Sequence, residues 1–216
     1  MTFFPRPCLG HVSGRLLLWS FLGMAAVAAP VWAADGTAAA SQTTAAPAAL
    51  VADQTVAIDK ANSHITIAVK STIDSFIGTL ADYVPSITVE SGSGKVTRAK
   101  LAFQFTDVKT GNDDRDKVMH DWQQTGKFPT GSFVLDHIGA APDGRLTAVG
   151  AFSFHGVTQS LTMPVTIQWA GRVLTVDGEA VIDTRLHQLP IIRKLLVLTV
   201  DPMVKVSFHL VGSVGQ

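Results

Sequence analysis

Cysteine is almost absent from this chain of 216 residues, since Cys8 is the single example. It precedes an apolar run at 16–33, whereas the cysteine of a lipoprotein follows such a run. Removal of that run as a leader leaves a mature chain with no thiol. Disulfide bonds, thiol catalysis and cysteine-based metal sites are therefore excluded from the mature protein.

An excess of charge of either sign is also missing. The chain has 17 Lys and Arg residues against 17 Asp and Glu residues. Removal of Arg6 and Arg15 with the leader leaves 15 basic and 17 acidic residues. A nearly neutral protein offers no basic face to a phosphate backbone, so we expect no nucleic-acid partner.

Sequence motifs for metal binding or catalysis are missing as well. The histidines beyond the leader stand singly, without a His-x-His or His-Glu-x-x-His pattern, at His64, His120, His137, His155, His187 and His209. No Gly-rich phosphate loop follows a strand, and there is no Gly-x-Ser-x-Gly elbow. The sequence predicts no metal and no cofactor. A metal site assembled from distant strands is the alternative.

The first 33 residues have the layout of a secretory signal peptide. Arg6, His11 and Arg15 precede the apolar run 16–33, which ends in Val31-x-Ala33. We expect cleavage after Ala33 and export to the periplasm. A retained membrane anchor is the alternative, because a spanning helix needs about 18 apolar residues. Residues 34–53, rich in Ala and Thr and without aromatic residues, predict a flexible linker before a domain at 54–216.

From about Gln54 onward, apolar and polar side chains alternate, which is typical of half-buried strands. Strands are predicted at 63–71, 95–108, 131–138, 145–154, 159–169, 172–183 and 203–214, with two more around 76–82 and 86–90. Short turn signals at Pro142-Asp143-Gly144 and Ala170-Gly171 favour antiparallel hairpins. The pattern predicts an all-β fold, an antiparallel closed β-barrel of about eight strands. A β-sandwich is the alternative, because it has the same period.

One polar segment, 111–131, interrupts the strands and predicts a short helix between them. Asn112 or Asp113 is suited to cap its start. The carboxylates around Arg115, Asp116 among them, are explained by helix capping and a local ion pair. A cation site or an acid–base pair is the alternative, although the spacing does not match a calcium loop.

The pair His155-Gly156 separates two long alternating segments. Glycine supplies the positive φ that a tight hairpin requires, so we expect a turn in which His155 is the last residue before the bend. Its imidazole would then bond to nearby backbone. The alternative is a catalytic base, but nothing nearby in sequence completes a nucleophile–base pair.

Large apolar side chains are concentrated on the predicted strands. They either fill a solid core or line an apolar cavity for a lipophilic molecule. The candidate ligand-binding residues among them are Phe103, Phe105, Phe133, Phe152, Phe154, Met163, Val165 and Trp169. A dense apolar run at 186–203 is either a lipid-facing mouth loop followed by a strand, or a fully buried strand.

Four segments together resemble the YceI-like family of bacterial exported lipid-binding proteins. They are the opening 58–70, the run 106–133 with its Arg-Asp pair, the His-Gly-Val-Thr hairpin in 154–167 and the closing strand 204–212. The resemblance covers roughly Val56 to the C-terminus. It implies a lipocalin-like antiparallel barrel that holds a long polyisoprenoid chain in its interior, in a periplasmic protein.

By position, the resemblance also implies that Arg115, Asp116 and His155 are the family's matching polar residues, either structural or at the ligand head. Two features depart from the family. Residues 183–193 lack its aromatic-Gly element, and Asn62 stands where the family often has His. A changed mouth loop implies a different ligand head group.

These observations predict an exported, non-enzymatic protein that binds a polyisoprenoid or similar long-chain lipid, such as a quinone-type isoprenoid, for storage or transport across the periplasm. Transient membrane contact and a homodimer are further expectations. One alternative is an enzyme acting on a lipophilic substrate, with His155 as base and Arg115 as its electrostatic partner. The other is an envelope stress protein whose barrel is filled.

Overall fold

The computed structural model describes residues 52–194 and 198–215. The predicted signal peptide at 1–33, and all but the last two residues of the predicted linker at 34–53, lie outside the described residues. Within the described ranges, no helix is long and apolar enough to cross a membrane.

The described residues form mainly strands. These are β1 (Asp53–Ile58), β2 (His64–Lys70), β3 (Ser75–Leu80), β4 (Val84–Glu90), β5 (Val96–Gln104), β6 (Val108–Lys109), β7 (Thr130–Ala140), β8 (Leu146–Phe154), β9 (Val157–Ala170), β10 (Val173–Asp183), β11 (Arg193–Lys194), β12 (Leu198–Thr199) and β13 (Met203–Val214). Helix α1 spans Asp113–Gln123, and two 3-10 helices span Phe105–Asp107 and Thr184–His187. Each predicted strand is present, with its ends shifted by a few residues.

Eight of these strands close into a barrel. Hydrogen-bonded neighbours follow the order β1-β4-β5-β7-β8-β9-β10-β13, all antiparallel. The ring closes because β13 also pairs with β1, where Val56 faces Val214. This closure confirms the predicted barrel and excludes the sandwich. Strand β2 pairs with the other half of β13, and β3 and β6 extend the sheet from β2.

Phenylalanine rings inside the barrel lie over glycines of neighbouring strands. Phe103 pairs across the sheet with Gly131, and Phe208 pairs with Gly178. A Cβ atom on Gly178 would lie 2.3 Å from Cζ of Phe208, much closer than packed carbon atoms approach. Each glycine therefore makes room for a ring that fills part of the interior.

Helix α1 packs against an apolar cluster that we call the helix-end cluster, formed by Ile65, Leu80, Tyr83, Phe105, Val108, Phe154 and Leu189. Met119 and Trp122 of the helix contact it, and Trp122 Nε1 donates a hydrogen bond to the carbonyl oxygen of Pro190 at 2.8 Å. The helix begins as predicted, because the Asn112 side chain accepts a hydrogen bond from the Arg115 amide at 2.9 Å.

Asp116 ties the start of α1 to the strand segment before it. Its carboxylate accepts hydrogen bonds from the Thr110 amide at 3.0 Å and from the Thr110 hydroxyl at 2.6 Å. Burial by itself would raise the pKa of Asp116, but these two hydrogen bonds outweigh burial and hold the pKa below its usual value. The ionised carboxylate therefore stabilises the docked helix.

The turn between β8 and β9 contains two left-handed residues. His155 has φ of 49° and Gly156 has φ of 74°, which is the conformation of a type I′ hairpin turn. His155 therefore lies within the bend itself, and the expectation that it is the last residue before the bend is wrong by one position. Strand pairing resumes directly, with Phe154 opposite Val157.

The apolar run at 186–203 does not form a single strand. A 3-10 helix ends at His187, Leu189 is buried with 3% of its surface exposed, and the short strands β11 and β12 pair with each other. Leu198 is half-buried. The expectation of one fully buried strand is therefore wrong, and residues 195–197 lie outside the described ranges.

Gly156→Ala tests the turn. We expect a loss of unfolding free energy of about 1–3 kcal/mol, because an added Cβ takes on a strained positive φ and would lie 2.8 Å from the Phe128 ring. Gly144→Ala is the matched control, since φ there is 80° with no atom within 4 Å of an added Cβ. Urea denaturation compares the two. Equal losses would contradict the contact with Phe128.

Asp116→Asn tests the carboxylate at the start of α1. Because its pKa is lowered in the folded state, its stabilisation is complete above about pH 4 and is lost as the pH falls through the folded-state pKa. The difference in unfolding free energy between the unaltered protein and Asp116→Asn should therefore shrink below pH 4. Asp114→Asn, exposed on the same helix, should stay within about 0.5 kcal/mol of the unaltered protein at neutral pH. A difference that does not change with pH would contradict the assignment.

Candidate functional site: the barrel interior

The barrel encloses an apolar cavity of about 140 Å³. Apart from Lys100, every residue that lines it is apolar, and the lining includes Ile65, Leu101, Phe133, Phe152, Met163 and Phe208. These side chains come from six different strands of the sheet, brought together by closure of the barrel. A space of this kind offers hydrophobic contact and almost no hydrogen-bonding partner to a molecule inside it.

The volume of the cavity limits the size of the molecule that the interior can hold without movement of side chains. Pockets for drug-sized molecules are typically about 300–1,000 Å³, whereas an engineered apolar cavity of about 150 Å³ binds benzene. The interior at about 140 Å³ therefore has room for one group of that size. A long chain fits only when some of the lining side chains move.

The predicted apolar site residues divide between two layers of the barrel. Phe133, Phe152, Met163 and Val165 line the cavity. Phe105 and Phe154 belong to the helix-end cluster, where their ring centres lie 5.5 Å apart, and Phe103 packs against the same cluster. Ligand contact by these residues remains a prediction. Phe133, Phe152, Met163 and Val165 are the better candidates, because they line the cavity.

Trp169 lies at the other end of β9. Its side chain points into the turn between β4 and β5, where Nε1 donates a hydrogen bond to the Gly94 carbonyl at 3.1 Å. The residue remains 36% exposed and does not line the cavity. It closes part of the barrel rim rather than the interior.

His155 is buried and holds the β8–β9 turn against the 3-10 helix at Thr184–His187. Its Nδ1 donates a hydrogen bond to the His187 carbonyl at 2.9 Å, and the Phe128 ring lies 4.2 Å from the imidazole, centre to centre. His187 in turn places its own Nδ1 3.2 Å from the carbonyl oxygens of Phe154 and Val157. Bonding to backbone was predicted, but the partner is 32 residues away in sequence.

Arg115 and Asp116 lie on α1, away from the residues that line the cavity. The guanidinium carbon of Arg115 lies 4.2 Å from the centre of the Phe76 ring, and Asp116 bonds to Thr110 as described. The enzyme alternative requires Arg115 and His155 to converge at a pocket. In the described part of the chain, the recorded contacts give each of them a separate structural environment instead.

A second concave feature was not predicted. An outer groove of about 640 Å³ lies on the outside of the barrel and is lined by residues that include His64, Arg145, Pro164, Asp177 and Glu179. Outward polar residues on strands are typical of an ordinary solvent-exposed face, so the alternating pattern did not indicate a groove. Pro164 inside a long strand was the available signal, because proline interrupts strand pairing. Among the described residues, no group of three or more His, Cys, Asp or Glu side chains is placed to hold a metal.

Three solved structures have a similar fold. Burkholderia cenocepacia BcnA has a TM-score of 0.62 and 19% identity, covering 71% of this chain and 98% of its own. A polyisoprenoid-binding domain from Saccharophagus degradans, implicated in plant cell wall breakdown, has a TM-score of 0.59 and 17% identity, with 75% and 99% covered. The YceI protein of Campylobacter jejuni has a TM-score of 0.51 and 14% identity, with 64% and 84% covered.

At these identities, the three structures establish the shared fold. A search of curated proteins finds no match. The family model of the YceI-like domain matches residues 57–212, which is most of the chain and nearly the whole barrel. The resemblance drawn from the His-Gly-Val-Thr hairpin and the Arg-Asp pair is thereby confirmed, and the chain belongs to the YceI-like family.

Proposed function

We propose that this protein is a non-enzymatic carrier that holds the chain of a polyisoprenoid, or of a quinone-type isoprenoid, inside its barrel. The observation that carries the proposal is the apolar interior, whose lining is apolar on every side except at Lys100. The similar fold of a domain described as polyisoprenoid-binding supports the same ligand class. Phe133, Phe152, Met163 and Val165 are the residues proposed to contact the chain.

The driving force is removal of the chain from water, about 0.8 kcal/mol for each buried CH₂ group. Ordering of the chain and of protein side chains offsets part of that gain. Because the free cavity is about 140 Å³, binding also requires inward rings to move aside. Phe208 and Phe133 are suited to this, since one neighbour of each ring is a glycine, Gly178 and Gly150 respectively, which has no side chain to displace.

The predicted export suits a role between membranes. The leader at 1–33 directs the protein to the periplasm in this proposal, where free isoprenoid chains are insoluble and need a carrier or store. Loading and release then involve transient contact with a membrane. The nearly neutral composition is compatible with contact that is brief rather than permanent.

The small cavity favours a second candidate, an envelope protein with a filled barrel that binds no lipid. In that case the rings over glycines serve packing alone, at the density found in ordinary protein interiors. The two candidates differ in a single measurable property, namely whether the purified protein contains or takes up a long apolar chain.

Mass spectrometry of an organic extract separates the two candidates. The full chain is expressed with its leader in a bacterial host and purified without detergent. We expect about one long-chain isoprenoid lipid for each protein molecule. An extract without lipid, from a protein that also takes up no added polyprenol, would contradict the carrier and favour the filled barrel.

Ala148→Phe tests whether the chain occupies the cavity. Ala148 is 5% exposed and lines the cavity, so the added ring occupies space of about the size that is free. We expect the affinity for a fluorescent polyprenol to fall by about tenfold or more, since the ring takes up contact surface. Ala151→Phe, exposed on the outer face of the same strand, is the matched control. Circular dichroism verifies that both variants fold, and equal affinities would place the chain elsewhere.

A further inference from the structure

The barrel wall separates between β9 and β10. These strands pair only from Ala170–Val173 to Val165–Gly178. Beyond that point, β9 continues to Val157 along β8, and β10 continues to Asp183 along β13. Among the described residues, no strand pairs with the two edges that face each other there, although the 3-10 helix at Thr184–His187 contacts β9.

Pro164 explains why the pairing ends there. In a hairpin with a two-residue turn, the residues that flank the turn form a hydrogen-bonded pair, and such pairs then alternate along the strands. Counting from Phe154–Val157 makes Thr147–Pro164 a non-bonded pair, so the backbone groups of Pro164 point toward β10. Proline has no N–H to donate, and the next bonded pair, with Glu179, does not form.

The outer groove borders this separation, since Pro164 and Glu179, which would form the next pair, both line it. Its lining includes Val165, Ile167 and Phe208, and the same three residues line the interior cavity. These three side chains therefore border both the groove and the interior. At Gly178, which also lines the groove, the wall is the paired backbone without a side chain of its own, and the Phe208 ring lies against it.

The charged side chains that line the groove, Arg145, Asp177 and Glu179, each have a partner that is not part of the lining. Asp177 Oδ1 lies 2.6 Å from His209 Nδ1, Glu179 pairs with Lys205, and Arg145 lies 2.7 Å from the Asp143 carboxylate. Lys205 and Arg145 are thus already paired with carboxylates. A phosphate in the groove would meet Asp177 and Glu179, whereas a neutral group meets hydrogen-bonding side chains without charge repulsion.

Hydroxyl groups supply those hydrogen bonds. Thr66, Thr166 and Ser207 line the groove beside the charged pairs; the Thr66 hydroxyl donates to the Ser207 carbonyl and can accept, and the hydroxyls of Thr166 and Ser207 can donate and accept. The apolar part of the groove lining consists of Leu146, Pro164, Val165, Ile167 and Phe208. An amphipathic molecule with an apolar stem and a neutral polar end matches this arrangement.

We propose that the separation between β9 and β10 is the passage by which a lipid chain enters the barrel, and that the outer groove holds its uncharged hydroxyl or carbonyl head group. The inference rests on the proposed function and adds to it a route and a head-group class. The Phe208 ring moves aside as the chain enters next to Gly178, the last residue of β10 that pairs with β9. The head remains outside the wall, among the hydroxyls and paired carboxylates.

The route is tested by uptake kinetics with Thr166→Trp, which places a large ring in the groove from an exposed position. Transfer of a fluorescent polyprenol from phosphatidylcholine vesicles to the full chain is followed by stopped flow. We expect uptake to slow by about tenfold or more, since the ring obstructs the passage. Ala102→Trp, exposed on the outer face of β5, is the control and should leave the rate unchanged.

The head group is tested by comparing affinities for a polyprenol and for the polyprenyl phosphate of equal length. The unaltered protein should prefer the polyprenol. Asp177→Asn combined with Glu179→Gln should shift the affinity ratio toward the phosphate by about tenfold, because two negative charges are removed and Lys205 is released. Asp136→Asn removes a similarly histidine-paired carboxylate on β7 and should not change the ratio.

The outcomes distinguish this inference from the proposed function. Binding of the polyprenol with an uptake rate unaffected by Thr166→Trp overturns the route but leaves the carrier intact. A preference for the phosphate in the unaltered protein, or a ratio that the double variant does not shift, overturns the head-group assignment. Failure of the unaltered protein to bind either probe overturns both the inference and the carrier.

Discussion

Pairing between β1 and the end of β13 is the interaction on which the rest of the structure depends. Where Val56 faces Val214, the last strand of the domain meets the first, and a sheet becomes a barrel. Closure turns one face of all eight strands into a common interior. Alternate residues of every strand therefore point into the same space. The apolar cavity and its lining exist only because this long-range contact forms.

The interior balances packing against space. Rings such as Phe208 lie over glycines and fill part of the interior, and this apolar packing stabilises the fold. The same rings leave only about 140 Å³ free. A ligand would therefore replace side-chain contacts with its own, so binding and packing draw on the same apolar surface. The pairing of β9 with β10 ends at Val165, which lines both the interior and the outer groove.

Much of the fold was predictable because its signals are local. Alternating side chains predicted the strands, Asn112 predicted the start of α1, and the His155-Gly156 pair predicted a tight hairpin. The inward position of Phe133 and Met163 was predictable for the same reason, since a period of two assigns a face to each residue. The height of each residue along the barrel axis was not predictable. Phe154 alternates in the same way, yet it packs in the helix-end cluster rather than at the cavity.

The sequence by itself determined which face each strand residue takes, where the chain turns, and the family to which the domain belongs, because these follow from neighbouring residues and short motifs. Only the tertiary structure decided what those faces meet. The bond from His155 to the His187 carbonyl, the position of Trp169 at Gly94, and the groove beside Pro164 all depend on strand register around the closed ring. Within a hairpin the turn sets the register, whereas the pairings of β13 with β1 and β2 join residues far apart in sequence and follow from no local period.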